Sequence, residues 1–279
     1  MNIVMLNNGT NIPKLGFGTF KLEGEICYKS VDDALIGGYR HVDTAEIYDN
    51  EKEIGKVIKN YDRKNLYNDL FITSKLWPFD EKIDRKKIIE RCEKSIKNLN
   101  VDYLDLYLLH WPNKELDYEE VLKGFKQLYE DRKIKAFGVS NFTIHHLEDI
   151  IPIAKKLNLP ISMNQVEFHP LLYQRELLNF CKKKSIAITA YSPLGQGETI
   201  KNKLIKDIAK RYNASPAQIC LAWLLQKDII AIPRSKRREN IYENFNAKNI
   251  YLFPEDMNLI DNIKEQKRIV NPPFAEFDY

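Results

Sequence analysis

Four ionisable side chains in this chain of 279 residues stand at or just beyond the ends of short apolar runs. Asp43, Lys75 and His110 each end one such run, and Tyr48 follows Asp43 by five residues. A short apolar run that stops abruptly at a charged or polar side chain is typical of a buried strand with a functional group at its end. These four residues are therefore candidates for a shared chemical task.

A tyrosine takes part in proton transfer only when its neighbours suit that role. The free phenol has a pKa of about 10, so it is a poor proton donor near neutral pH. An ammonium at Lys75 would favour the ionised form of Tyr48, and the carboxylate of Asp43 would hold that lysine in place. The imidazole of His110 could donate a hydrogen bond to a substrate oxygen. The residues lie on three separate segments, so this chemistry requires a fold that gathers successive strand ends.

The rest of the sequence alternates between strand and helix patterns, which is typical of βα units on a parallel sheet. The predicted strands are residues 15–19, 41–44, 70–75, 103–110, 134–140, 162–167, 186–191 and 229–232. The predicted helices are residues 25–37, 50–59, 84–99, 118–131, 144–157, 175–184, 202–226 and 238–244. Such pairs fit an α/β fold of the (β/α)8 TIM barrel type, in which catalytic groups lie at the carboxyl ends of the strands. A doubly wound sheet is the alternative, but Lys21 stands where the dinucleotide-binding fingerprint needs its third glycine.

Both ends of the chain are predicted to lie outside the repeating pattern. Residues 3–6 and 11–13 flank an Asn-Gly turn and predict an N-terminal β-hairpin that plugs the bottom of the barrel. Residues 255–266 predict a last outer helix, and residues 270–279 form a Pro-rich, aromatic loop that folds over the barrel mouth. No low-complexity tract or linker divides the chain, so residues 1–279 are predicted to form one domain.

The composition is that of an ordinary globular protein, with 44% hydrophobic and 29% charged residues. The net charge of +4, spread over 43 basic and 39 acidic residues, gives no argument for nucleic acid or membrane partners. The four cysteines are far apart and form no C-x-x-C pair, which predicts reduced thiols and no metal site. The N-terminus lacks an export signal, so we expect a cytoplasmic protein.

Eight short strings in this chain resemble, in order, those of the aldo-keto reductase family. They are Gly16-Phe17-Gly18-Thr19, Val42-Asp43-Thr44-Ala45, Ile72-Thr73-Ser74-Lys75, Leu109-His110-Trp111-Pro112, Gly138-Val139-Ser140-Asn141, Asn164-Gln165-Val166-Glu167, Ala190-Tyr191-Ser192-Pro193 and Ile232-Pro233-Arg234-Ser235. The resemblance implies a (β/α)8 barrel, a nicotinamide cofactor and a catalytic tetrad. The tetrad positions are occupied here by Asp43, Tyr48, Lys75 and His110.

The resemblance also implies cofactor and substrate contacts. Tyr191 matches the tyrosine that stacks on the nicotinamide, while Ser140, Asn141 and Gln165 match the residues that hold its carboxamide. Further cofactor contacts are implied at Gly18, Thr19, Asp43, Ser192, Leu194 and Ile232. The substrate pocket is expected to be lined by Phe20, Tyr48, His110 and Trp111. Phe20 stands where many members of the family carry tryptophan.

A basic stretch after the last predicted strand implies a preference for NADPH, with NADH as the weaker alternative. The matching positions for the adenosine phosphate and the adenine are Arg234, Ser235, Asn240, Glu243 and Asn244, and Lys236 could add positive charge beside them. Family members usually carry lysine at Arg234 and arginine at Asn240. Basic side chains and backbone N–H groups at a helix start suit a phosphate dianion.

These observations predict an NAD(P)H-dependent reductase of aldehydes and ketones, such as dicarbonyls or keto-sugars, with Tyr48 as general acid. One alternative is the same site working as an alcohol or sugar dehydrogenase. Another is a cofactor-binding, redox-sensing subunit without catalysis, although the complete set of four catalytic residue types argues against it. We expect a monomer that acts on a small carbonyl compound.

Overall fold

The computed structural model describes residues 3–62, 70–79 and 81–279. Eight parallel strands follow one another in the sheet in the same order as in the sequence, from β3 to β10. Their bounds are β3 Phe17–Gly18, β4 His41–Asp43, β5 Phe71–Leu76, β6 Leu104–Leu109, β7 Ile134–Ser140, β8 Ile161–Glu167, β9 Ala187–Tyr191 and β10 Ile230–Ala231. In register, Gly18 lies beside Asp43 and Lys75 lies beside Leu108.

The first and last of these strands close the sheet into a barrel. Leu15 forms a parallel bridge with Ala231. The N–H of Gly16 donates to the carbonyl of Ala231 at 2.9 Å, and the N–H of Ala231 donates to the carbonyl of Lys14 at 2.8 Å. The predicted (β/α)8 barrel is therefore confirmed.

Helices connect the strands and cover the outside of the barrel. They are α1 Gly24–Ile36, α2 Glu51–Asp62, α3 Arg85–Leu99, α4 Tyr118–Glu130, α5 Ile144–Lys156, α6 Arg175–Lys183, α7 Lys203–Arg211, α8 Pro216–Gln226, α9 Arg238–Asn246 and α10 Pro254–Asp261. Several begin at a residue whose side chain accepts a hydrogen bond from the first turn. Asp84 and Asp117 do so for α3 and α4, and Thr143 and Ser215 form capping boxes with His146 and Gln218.

Two predicted helices differ from the observed ones. The helical region predicted over residues 202–226 is divided, because Asn213 adopts a positive φ of 47°. Ser215 then caps a new helix that has Pro216 in its first turn, a position where the missing N–H of proline costs nothing. The last helix ends at Asp261 and does not extend to residue 266, and the chain beyond it has no regular structure.

The N-terminal hairpin closes the bottom of the barrel, as predicted. Its strands are β1 Ile3–Met5 and β2 Asn11–Pro13, and Gly9 in the turn has a φ of 85°, which favours glycine. Leu6 and Ile12 are buried with side chains from the barrel interior. Asn7 Nδ2 donates to the carbonyl of Ile161 at 2.9 Å, at the start of β8.

The main apolar core lies between the barrel and its helices. The four cysteines are buried within it as free thiols. Within residues 3–62, 70–79 and 81–279, no helix has both the length and the apolar character needed to cross a bilayer.

Candidate active site

The four chemically promising residues lie together at the carboxyl end of the barrel. Asp43 ends β4, Lys75 stands one residue before the end of β5, and His110 follows β6 directly. Because β4, β5 and β6 are neighbours in a parallel sheet, their carboxyl ends meet at one rim. Tyr48 reaches the same rim from a 3₁₀ turn, Glu46–Tyr48, that follows β4.

Lys75 is the centre of this group. Its Nζ donates to Asp43 Oδ1 at 2.6 Å and to the carbonyl of Thr44 at 2.7 Å. The same Nζ lies 3.5 Å from the hydroxyl of Tyr48, which in turn lies 3.5 Å from His110 Nε2. The structure therefore brings all four predicted residues within reach of one another.

The Lys75–Asp43 ion pair is buried, with side-chain exposures of 0% and 3%. Burial pushes both groups towards their neutral forms, raising the pKa of Asp43 and lowering that of Lys75. The charge of each partner and the hydrogen bond between them oppose those shifts. A second donor, Gln165 Nε2, contacts the other oxygen of Asp43 at 2.7 Å.

Tyr48 and His110 are both held in their neutral forms. Burial and then the negative charge of Asp43 raise the pKa of Tyr48 well above its ordinary value of 10.0. The expected lowering of the Tyr48 pKa is not observed: its net shift is upward, and burial of the phenolate is the largest cause. Burial and the charge of Lys75 lower the pKa of His110 well below 6.5. A neutral imidazole still carries one N–H that can donate to a substrate oxygen.

The residues predicted to hold a nicotinamide adjoin this group and are bonded to it. Ser140 Oγ donates to the carbonyl of Gln165 at 2.8 Å. Asn141 Nδ2 donates to the carbonyl of His110 at 3.0 Å, and Asn141 Oδ1 accepts from the hydroxyl of Tyr191 at 2.7 Å. These side chains are therefore fixed in orientation by the tetrad and by one another.

A cavity of about 400 Å³ opens onto the candidate catalytic residues. Of the residues predicted to bind cofactor or substrate, its lining includes Gly18, Thr19, Phe20, Asp43, Tyr48, His110, Trp111, Ser140, Asn141, Gln165, Tyr191, Ser192, Leu194, Ile232 and Arg234. Lys75 lies behind this wall, fully buried.

Five predicted cofactor residues lie outside that cavity, around the start and body of α9: Ser235, Lys236, Asn240, Glu243 and Asn244. Ser235 Oγ accepts from the N–H of Arg237 at 3.0 Å, at the residue that precedes the helix. The carboxylate of Glu243 accepts from the hydroxyl of Ser215, while Asn244 is buried. Lys236 and Asn240 are exposed.

Sequence reasoning missed part of the pocket wall. Trp77 lies with its ring centroid 5.4 Å from that of His110, and Phe274 from the tail packs against Trp77 at 5.4 Å and Trp111 at 5.2 Å. Trp77 follows the strand that carries Lys75, and this placement was a usable sequence clue. Contact with Phe274 depends on the path of the tail, for which no local pattern exists.

A buried asparagine, also missed, supports the loop that carries Tyr48. Asn50 Nδ2 donates to the carbonyls of Thr19 and Leu22, each at 2.9 Å, and Asn50 Oδ1 accepts from Thr44 Oγ1 at 2.8 Å. These bonds tie the segment after β4 to the segment after β3. An asparagine two residues beyond a candidate catalytic tyrosine gave no clue to this role in the sequence.

Comparison with known proteins identifies the family of this chain. The profile of the Aldo/keto reductase family matches residues 14–265. The chain is 42% identical over 267 residues to the glyoxal reductase of Bacillus subtilis, which covers 95% of this chain and 94% of that protein. It is 40% identical over 276 residues to the 9,11-endoperoxide prostaglandin H2 reductase of Trypanosoma cruzi, with 98% and 95% covered. The solved structure of the aldose reductase from Schistosoma japonicum matches with a TM-score of 0.90 at 30% identity, over 96% of this chain and 94% of that one. This chain therefore belongs to the Aldo/keto reductase family and is an oxidoreductase.

Proposed function

We propose that this protein reduces aldehydes and ketones to alcohols with a reduced nicotinamide cofactor, and that Tyr48 is the general acid. The observation that carries the proposal is the position of the Tyr48 hydroxyl, 3.5 Å from both Lys75 Nζ and His110 Nε2 at the wall of the cavity. A proton donor, a cation and a neutral imidazole thus converge where a carbonyl oxygen would bind.

Each of the four residues has a distinct role in this proposal. His110 donates a hydrogen bond to the carbonyl oxygen and orients it. Tyr48 gives its proton to that oxygen as negative charge develops there, and the ammonium of Lys75 stabilises the phenolate that remains. Asp43, 2.6 Å from Lys75 Nζ, holds the ammonium in position and balances its charge. The raised pKa of Tyr48 keeps the proton on the phenol until the carbonyl oxygen becomes basic.

The side chains at the cavity wall fit a nicotinamide ring. Tyr191 offers an aromatic face, and Ser140, Asn141 and Gln165 offer a hydroxyl and two amides fixed by internal hydrogen bonds. An aromatic plane can shield one face of the ring, and polar groups can set its rotation. When bound, the reduced nicotinamide supplies the hydride. We propose NADPH as the preferred form because Arg234 lines the same cavity, close in sequence to the basic start of α9.

The substrate is proposed to be a small carbonyl compound. Trp77, Trp111 and Phe274 form an aromatic wall near His110, which suits a compact molecule with apolar and carbonyl surfaces. Glyoxal, the substrate named for the Bacillus subtilis relative, makes dicarbonyl compounds the first class to test.

The direct test is turnover by the purified protein. Glyoxal, methylglyoxal, a simple aromatic aldehyde and a keto-sugar are each assayed with NADPH and with NADH, following the loss of reduced-nicotinamide absorbance. We expect turnover of at least one of these substrates, with kcat on the order of 1 s⁻¹ or higher. Tight binding of NADPH without turnover of any of them would contradict the proposal and favour a non-catalytic, cofactor-binding protein.

A further inference from the structure

Glu46 opens the 3₁₀ turn that carries Tyr48, yet its side chain bonds to other elements of the fold. Its carboxylate contacts Arg91 on α3 and the backbone N–H of Trp77 just after β5. One side chain therefore joins the segment that bears the proposed general acid to a residue of the substrate wall and to an outer helix.

The contact with Arg91 has the two-pronged geometry of a strong ion pair. Arg91 Nε lies 2.9 Å from Glu46 Oε2, and a terminal guanidinium nitrogen lies 2.8 Å from Glu46 Oε1. Both side chains are only 14% exposed, so solvent screens this pair less than an ordinary surface pair. Parallel N–H···O bonds of this kind fix direction as well as distance.

The Trp77 contact extends the support to a second ring that packs on His110. Glu46 Oε1 accepts the N–H of Trp77. The ring of His110 packs edge-on with both Tyr48 and Trp77, with centroid distances of 5.6 Å and 5.4 Å. A shift of the Glu46 carboxylate would therefore move two of the groups that surround the proposed carbonyl position.

The turn itself has little internal support. It is three residues long, with its internal hydrogen bonds running from the N–H of Tyr48 to the carbonyl of Ala45 and from the N–H of Asp49 to the carbonyl of Glu46. The Tyr48 hydroxyl lies at the outer limit of hydrogen-bond distance from Lys75 and His110. Misplacement of a catalytic group by about 1 Å can cost about 10²-fold in rate.

We propose that Glu46, held by Arg91, is a positioning residue that keeps Tyr48 and Trp77 in place against His110. This inference rests on the proposed function, because it concerns the residue assigned as general acid there. Glu46 does not touch the reacting atoms in this scheme. It acts through the turn on one side and through the backbone of Trp77 on the other.

The test compares Glu46→Ala and Arg91→Met with the control Glu81→Gln, which removes the other carboxylate near Arg91, at 3.8 Å. We expect both test variants to lower kcat for carbonyl reduction about 10- to 100-fold, with an unchanged Kd for NADPH. The control should keep the parent kcat. Because Glu46 and Arg91 act as one unit, the double variant should lose little more than either single variant.

Several outcomes would overturn the inference. One is that Glu46→Ala keeps the parent kcat. Another is that its Kd for NADPH rises by the same factor as its kcat falls, which would indicate general structural damage. If Glu46→Ala does not fold, Arg91→Lys serves as the deciding variant. It keeps the positive charge but cannot form the two parallel hydrogen bonds to Glu46, so it should still lower kcat without raising the Kd for NADPH. A parent protein that reduces no carbonyl would instead overturn the proposed function, and this inference with it.

Discussion

Glu167 accepts the backbone N–H of Val270 at 2.9 Å, so the carboxylate that ends β8 holds the beginning of the C-terminal tail. The same carboxylate accepts the N–H of Ile269 at 2.8 Å and lies 3.0 Å from His169 Nε2. Glu167 is fully buried. A buried carboxylate needs such donors, and the first residue of the tail and the residue before it each provide one backbone N–H.

Removal of residues 270–279 should change substrate affinity and selectivity more than stability. The deletion takes away Phe274, which packs on Trp77 and Trp111, and the Val270 N–H that bonds to Glu167, but it leaves the Ile269 N–H on that carboxylate. We expect KM values for a panel of carbonyl compounds to rise and to change in rank order, while Tm falls by only a few degrees. Phe274→Ala should reproduce the changes in KM without the fall in Tm. A truncated protein that does not fold would show that the tail is a structural element.

Tyr48→Phe should abolish most turnover and leave cofactor binding intact. The substitution removes only the hydroxyl that lies between Lys75 and His110. We expect kcat to fall about 10²- to 10⁴-fold, with an unchanged Kd for NADPH. Tyr39→Phe is the matched control, because Tyr39 is also buried but donates to the carbonyl of Ile241 on α9. Activity of Tyr48→Phe close to that of the control would rule out Tyr48 as the general acid.

Lys75→Met should destabilise the protein more than the double variant Asp43→Asn, Lys75→Met. The single substitution leaves the Asp43 carboxylate buried without its cation, which typically costs about 3–5 kcal/mol in the free energy of unfolding. The double variant removes both charges, and the asparagine side chain that replaces Asp43 would retain an oxygen for Gln165. Urea unfolding of the three proteins measures the difference. Equal stability of the single and double variants would mean that the buried pair is not ionised.

His41 should make the protein less stable in mild acid. Burial lowers its pKa to about 3, so the folded protein keeps this imidazole neutral while the unfolded chain binds a proton below about pH 6.5. The stability that the neutral imidazole contributes is present above that pH and is lost as the pH falls towards 3. Between pH 7 and pH 4.5 we expect a loss of about 2 kcal/mol from this residue alone.

His41→Gln tests that expectation. The variant cannot bind a proton at residue 41, so its free energy of unfolding should fall less between the two pH values than that of the parent protein. His145→Gln is the control. Because His145 is exposed, this variant should lose as much free energy of unfolding between the two pH values as the parent protein does. Identical pH dependence in all three proteins would show that His41 does not contribute.

The barrel and the meeting of Asp43, Lys75 and His110 followed from local patterns. Alternating strand and helix periods predict a parallel barrel, and residues at the carboxyl ends of its neighbouring strands must meet at one rim. What the sequence could not predict depends on contacts between distant segments. The pairing of Glu46 with Arg91 requires the relative placement of a turn and an outer helix, and the net pKa shift of Tyr48 requires its degree of burial.

The proposed preference for NADPH depends on which basic side chains near α9 remain available for a phosphate. Arg238 pairs with Asp33 at 3.1 Å, and Arg237 lies 3.9 Å from Glu239. Across the described parts of the chain, no carboxylate lies within 4.0 Å of the charged groups of Arg234 or Lys236. These two side chains are therefore the candidates to meet the phosphate.

Arg234→Ala should reduce the use of NADPH and leave the use of NADH nearly unchanged. Arg234 lines the cavity, and its planar guanidinium can form two charge-assisted hydrogen bonds to a phosphate dianion that NADH lacks. Loss of such bonds should lower kcat/KM for NADPH about 10- to 100-fold. Arg238→Ala is the control, because the guanidinium of Arg238 is already engaged by Asp33 and should leave the ratio of the two cofactors unchanged. Equal losses with both cofactors in Arg234→Ala would show that Arg234 supports the fold or the shared part of the cofactor and does not recognise the phosphate.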